Sequence, residues 1–257
     1  MFFRSRKCRL LIFPLLMLLY ASHALAAEQK IVVAGISELP VYQITNAASR
    51  VNILLLAGGG GWRGNLNSQN FLIRQRRSFV NAGANVFIFP NPVKRKISFA
   101  DRLSDDHVIR ILRLVESVKR ENDLPIFLAG ISRGTVSVGH FAKNHGDRIQ
   151  GIIFYSGIYL SEIEKRNRFA MERVVGDRIE VPVLVVHHRN DRCRICRPES
   201  AEAFFQNLDA PQKDYMEFSG GGMTGDPHGP LHHHGFEGLE KEVVSRTLAW
   251  AESLSSD

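Results

Sequence analysis

Residues 125–145 read PIFLAGISRGTVSVGHFAKNH. The first five, Pro125–Ala129, are an apolar run opened by proline, the pattern of a short buried strand. The last eleven, Thr135–His145, have helical character. Between them, Gly130-Ile131-Ser132-Arg133-Gly134 must turn the chain from strand to helix in one tight step. A G-x-S-x-G pattern is weak by itself, but it gains meaning in a strand–turn–helix context. Glycines two before and two after Ser132 remove side chains that would collide in so sharp a turn, and the serine is left in a strained conformation. Its hydroxyl is then lifted to the end of a sheet, beside a helix N-terminus.

Outward from this turn, the chain alternates between short apolar runs and amphipathic stretches. The runs are Ile31–Gly35, Val41–Ile44, Val51–Leu56, Asn85–Phe89, Gly151–Tyr155, Val181–His187 and Asp214–Phe218. Several are nearly continuous in Val, Ile, Leu and Phe, which suits strands buried on both faces of a mostly parallel sheet. Apolar spacing predicts helices over 70–82, about 104–121 (capped by Ser104 or Asp105), after Ser132, about 198–207 and about 238–254. Strands alternating with helices give an α/β fold. No repeat, low-complexity segment or linker interrupts 27–257, so one domain is the simplest organisation. The stretch 156–180 is polar and charged, and reads equally as a short cap over a site or as a solvated crossover helix.

A serine hydroxyl is a poor nucleophile without a base oriented by a third group. Asp191 follows the strand candidate Val181–His187 in the loop His188-Arg189-Asn190-Asp191. After Asp214–Phe218 comes a loop holding His228, His232, His233 and His234. His234, just before Gly235-Phe236 and the final helix, is favoured as the base, with His233 next and His232 and His228 behind. Three adjacent histidines also make a polar turn, and a triad needs one of them.

A fourth element is Ala57-Gly58-Gly59-Gly60-Gly61-Trp62, directly after the strand Val51–Leu56. Acyl-transfer chemistry needs two backbone N–H donors for an oxyanion, in a place that side chains would block. Arg133 N–H and that of Gly59 or Gly60 are the candidates. The loop lacks the spacing of a P-loop and of a dinucleotide fingerprint.

Together these features resemble the α/β-hydrolase superfamily of serine hydrolases, over nearly all of 27–257. The resemblance implies an eight-stranded, mostly parallel sheet with helices on both faces. It implies Ser132 as nucleophile, His234 as general base and acid, and Asp191 as the orienting carboxylate, in the chain order Ser…Asp…His of that scaffold. Ala57 stands where the commoner His-Gly form of the oxyanion loop has its histidine, which leaves the donating glycine open. The short cap implies an open site and disfavours long-chain lipid substrates. Ester, thioester and peptide substrates all remain open. No organic cofactor is called for.

The chain has 257 residues and a formal charge of +7. With 44% hydrophobic and 23% charged residues it has the make-up of a globular protein, which excludes disorder, collagen and multi-pass membrane classes. Met1–Ala26 reads as a secretory signal: Arg4, Arg6, Lys7 and Arg9, then apolar Leu10–Tyr20, then Ala24-Leu25-Ala26 as a cleavage site. Its removal takes away four cations and no anion, so the charge falls from +7 to +3. The basic excess therefore belongs largely to targeting, and nucleic acid is not an expected partner. The expectation is an exported, periplasmic or secreted protein, without a stable membrane span after cleavage, acting on a small ester-like molecule. Oligomeric state is not readable.

Two rival readings compete. His187, His188, Asp191, Cys193 and Cys196 lie within ten residues, with His228 and His232–His234 able to approach, and Cys-x-x-Cys is a zinc half-site. For that cysteine pair in an oxidising compartment, a local disulfide staple is the simpler expectation. The other rival is a non-catalytic binding module that kept the fold.

Overall fold

A computed structural model describes residues 26–161 and 169–255. Eight strands form one sheet: β1 (Ala27–Ile31), β2 (Val41–Thr45), β3 (Val51–Leu56), β4 (Ala84–Ile88), β5 (Ile126–Ile131), β6 (Gly151–Tyr155), β7 (Val183–His188) and β8 (Lys213–Phe218). Their order is β1-β2-β4-β3-β5-β6-β7-β8. The first two strands are antiparallel to their neighbours, and β4 through β8 run parallel.

The apolar runs are continuous because each strand is covered on both faces, and alternate side chains go to opposite sides. On one face, Leu54, Phe87, Leu128, Phe154 and Val185 pack against α4 (Asp105–Glu121), α5 (Arg133–His145), α6 (Met171–Val174) and α7 (Pro198–Asn207). On the other, Ile53, Val86, Phe127, Tyr155 and Val186 pack against α1 (Phe71–Arg74), α2 (Arg76–Asn81) and α8 (Glu240–Ser253). A single α-helical turn, α3 (Phe99–Arg102), too short for apolar spacing to announce it, carries a Ser98/Asp101 capping box.

Several boundaries differ from expectation, for local reasons. The run Ile31–Gly35 is not the first strand. Gly35 turns with φ 71° and Val32 is exposed, while the hairpin partner β2 selects Ala27–Ile31 in register Ala27↔Thr45 to Ile31↔Val41. Edge pairing, not apolar content, decides there. Strands β5 and β7 start one residue after Pro125 and Pro182, which offer a carbonyl but no N–H: Pro125 accepts from Asn52 and Pro182 from Ile152. The helix expected over 70–82 is broken at Gln75 (φ −94°, ψ 6°) into α1 and α2. Ser104, not Asp105, caps α4 through its side chain.

The expected targeting segment Met1–Ala26 lies outside the described residues except for Ala26, as do residues 162–168 of the suggested cap. Within the rest of 156–180, Ile158, Tyr159, Ala170 and Met171 are fully buried. Among the described residues no helix is long and apolar enough to cross a membrane.

Candidate active site

The G-x-S-x-G turn forms as its spacing requires. Ser132 has φ 52° and ψ −123°, a conformation that side chains rarely adopt, and α5 begins at the next residue. A Cβ on Gly130 would come within 2.6 Å of the Gly134 carbonyl, and one on Gly134 within 2.1 Å of the Leu56 carbonyl. Both are backbone atoms that cannot move aside, so both glycines are sterically obligatory. Gly58 is tied to the same turn, since a Cβ there would meet the Ile131 carbonyl at 2.6 Å.

The Asp191 loop leaves the C-terminal end of β7 and the histidine loop follows β8. Asp191 Oδ2 meets His234 Nδ1 at 2.8 Å, with both side chains buried. The other Asp191 oxygen accepts the Cys193 N–H at 2.8 Å, which fixes the carboxylate's rotation. His187 also approaches Asp191, Nε2 to Oδ2 at 3.6 Å. The remaining histidine candidates point elsewhere. His233 Nδ1 lies on the Asn190 carbonyl at 2.9 Å with its ring stacked on His188, and His228 Nδ1 lies on Cys193 Sγ at 2.7 Å. Of the four candidates, His234 is the one hydrogen-bonded to Asp191.

Local backbone sets this choice. His232 and Phe236 both take left-handed conformations (φ 60° and 56°) around a single 3-10 turn at His233–Gly235. Phe236 is buried against Phe71, Tyr155 and Phe218. Arg74 holds the loop from α1, donating to the carbonyls of Pro230 and Gly235 and pairing with Glu240 at 2.8 Å. Nothing in the sequence marks Arg74, because the carbonyls through which it holds this loop lie more than 150 positions away.

Ser132 and His234 line one open cleft of about 660 Å³ together with Gly58–Gly61, Trp62 and Arg133. Among the described residues its charged lining, apart from the histidines, is Lys96 and Arg133, with no carboxylate. Arg189, two residues before Asp191, pairs with Glu217 on the surface. The N–H groups of Arg133, Gly59 and Gly60 donate to no other backbone carbonyl among the described residues. The glycine loop is braced from below by the buried Arg102, which donates to the carbonyls of Ala57 at 3.1 Å and Gly59 at 3.2 Å and to Ser137 Oγ at 2.9 Å.

Two thiols complete the site. Cys193 and Cys196 are free and buried, so the expected disulfide staple is not formed. Cys196 Sγ lies 3.7 Å from Ser132 Oγ, and one ligand atom each of Cys193, Cys196 and His234 lie within 4.8 Å of one another. No hydrogen bond joins Ser132 to His234 among the described residues; each faces a thiol. Of the wider metal-ligand set read from sequence, His187 is hydrogen-bonded to the Cys196 carbonyl and His188 to that of Gly220, so neither joins the cluster. Hydrogen bonding from Cys196 holds the Cys193 thiol far below its ordinary pKa against the opposing effect of burial, helped by His228 and His234. Burial pushes Cys196 the other way. Burial also pulls His234 down, but the charge and hydrogen bond of Asp191, with Cys193, lift it to about 10.

No family model matches this chain, and no curated protein matches it in sequence. Among solved structures, the chain is similar to Est1E from Butyrivibrio proteoclasticus, with 16% identity and a TM-score of 0.60 over 88% of this chain and 99% of that one. It is also similar to a soluble variant of monoglyceride lipase from Saccharomyces cerevisiae, with 12% identity and a TM-score of 0.61 over 92% and 97%. A third is XC6422 from Xanthomonas campestris, an α/β serine hydrolase without a lid, with 14% identity and a TM-score of 0.58 over 90% and 96%. The strand order, the serine turn and these likenesses agree: the chain has the α/β-hydrolase fold.

Proposed function

We propose that this protein is an exported serine hydrolase that cleaves an ester-like acyl bond of a small molecule through an acyl-enzyme. The observation that carries the reading is Ser132, held at a strained strand-to-helix turn, opening onto the same cleft as an imidazole braced by a buried carboxylate. The lipases and esterases of the same fold support ester hydrolysis as the reaction class.

In this mechanism Ser132 Oγ attacks the carbonyl carbon while His234 takes its proton. Asp191 keeps Nδ1 protonated, so the other ring nitrogen is the one that accepts, once the proton it shares with Cys193 in the resting protein has left it. The oxyanion forms beside the free N–H groups of Arg133 and Gly59 or Gly60, which need no reorganisation to receive it. His234 then protonates the leaving group, and water repeats the sequence on the acyl-enzyme. In the resting protein the imidazole faces Cys193 and the hydroxyl faces Cys196. Productive contact therefore forms with substrate present, as is common for catalytic hydrogen bonds that are long in unliganded enzymes.

Ser132→Ala is expected to abolish turnover of a short-chain aryl ester while circular dichroism and melting temperature stay those of the parent. Unchanged turnover in that variant overturns the assignment. A fluorophosphonate probe should label the parent and not Ser132→Ala. Absence of labelling in an active-site-intact parent would favour a binding module on the same fold.

A further inference from the structure

The hydrolase mechanism uses the serine, the imidazole and the carboxylate, and leaves Cys193 and Cys196 without a task. Both are fully buried, which is ordinary for cysteine; their convergence on one ring is not. The Cys-x-x-Cys segment closes on itself through a Cys196 N–H to Cys193 carbonyl hydrogen bond of 3.2 Å, and this turn brings both sulfurs to the same side. They meet His234 there, with the three ligand atoms within 4.8 Å of one another. We infer that Cys193 Sγ, Cys196 Sγ and the ring nitrogen of His234 that faces them form a binding site for a thiophilic divalent cation, zinc being the best fit, and that its occupancy blocks hydrolysis.

Geometry and ligand type both favour zinc. Tetrahedral zinc, with sulfur at about 2.3 Å and imidazole nitrogen at about 2.0–2.1 Å, spaces its ligand atoms roughly 3.4–3.8 Å apart. The observed spread of 4.8 Å or less needs a contraction of about an ångström or less, within reach of χ rotations. Two sulfurs and an imidazole select zinc over magnesium or calcium, which prefer oxygen. His228, whose Nδ1 already touches Cys193 Sγ at 2.7 Å, stands ready as a fourth ligand once the metal pushes the two apart.

The outer shell supports the same conclusion. A metal-bound histidine usually gives its other ring N–H to a carboxylate, and His234 Nδ1 does so to Asp191 at 2.8 Å. The second oxygen of that carboxylate holds the Cys193 backbone N–H, and His187 holds the Cys196 carbonyl at 3.1 Å. Three ligands are thus oriented by two buried groups. Binding would release two protons to the buffer, the one on the Cys196 thiol and the one shared between Cys193 and the His234 ring, with no change of oxidation state. A ring nitrogen bound to zinc cannot accept the proton of Ser132. This inhibitory half rests on His234 being the base; the metal site itself does not.

The test uses the reduced, full-length protein. Titration with cobalt(II), a visible surrogate for zinc, should give one equivalent of tetrahedral bands with thiolate-to-cobalt charge transfer, displaced by zinc. Cys193→Ser and Cys196→Ser should each lose that charge-transfer intensity, while Ser132→Ala keeps it. A Cys8→Ser background leaves two thiols, so its band reports that pair whether or not the other variants fold. One equivalent of zinc should lower ester turnover at least tenfold in the parent. No charge-transfer band in the Cys8→Ser protein overturns the site. A band without loss of turnover overturns the inhibitory half. Loss of the hydrolase reading alone would leave the cobalt spectrum of Ser132→Ala unchanged.

Discussion

At the scale of single residues, the site depends on a buried carboxylate that reaches one partner close by in sequence and another 43 positions away. Asp191 is the pivot. Its two oxygens address His234 Nδ1 and the Cys193 N–H, so both the proposed base and the neighbouring thiol take their orientation from one buried carboxylate. Asp191→Asn preserves volume but replaces an acceptor with an amide that can donate to His234, and the imidazole then favours the wrong tautomer. The expected result is a loss of kcat of roughly 10³–10⁴, the size seen when a triad carboxylate becomes an amide. KM should move little, because Asp191 is not among the cleft-lining residues. Steady-state kinetics on an aryl ester checks this; a loss below tenfold would mean that another group orients the ring.

At the scale of elements, the short α3 turn and the start of α4 stabilise the glycine loop from beneath. Arg102 is buried without a carboxylate in salt-bridge range among the described residues, and its pKa is pushed down to about 9 by burial and then by Arg133. Its donors hold two carbonyls of the 57–61 loop. Arg102→Met leaves these acceptors unpaired and lets the loop drift. The expected outcome is a fall in kcat of roughly tenfold to hundredfold with KM nearly constant, partly rescued by Arg102→Lys. Equal losses in kcat for Met and Lys variants, in step with melting temperature, would indicate a purely structural role. Next to it, His107 bonds Ser137 Oγ at 2.9 Å and is buried near Arg102 and Arg110. Burial first, then those two cations, push its pKa down to about 3. Since the unfolded chain takes up a proton near 6.5 that the folded one refuses, stability is full above that value and is lost as pH falls toward 3. Between pH 7 and pH 5 the parent should lose about 2 kcal/mol more than His107→Gln in urea denaturation. Parallel losses in both proteins would assign the acid sensitivity to other groups.

At the scale of the whole molecule, the sheet brings three loops from the C-terminal ends of β5, β7 and β8 to one rim. The glycine loop after β3 joins them there. That arrangement follows from parallel strands, whose C-terminal ends all face the same way. Strand β1 begins at Ala27, directly after the proposed cleavage site. N-terminal sequencing of protein recovered from the periplasm or medium of an expressing bacterium should begin at Ala27. Recovery with Met1 in the cytoplasmic fraction alone would refute export.

Much of this architecture is written into residue order. Near-continuous apolar runs such as VNILLL at β3 and GIIFY at β6 specify strands covered on both faces, because only there does water leave both sides of the pleat. The glycines around Ser132 announce the turn, since a Cβ at either would strike backbone. Local patterning fails where pairing or packing decides. The first strand slips to Ala27–Ile31 because its hairpin partner sets the register. The four histidines are chemically alike in sequence, and left-handed turns at His232 and Phe236 determine which ring meets Asp191. Likewise, Cys193 and Cys196 read as a staple but lie as free thiols between the serine and the imidazole. Periodicity depends on near neighbours along the chain and is therefore legible there; the encounter of side chains from three separate loops depends on long-range packing and exists only once the sheet has formed.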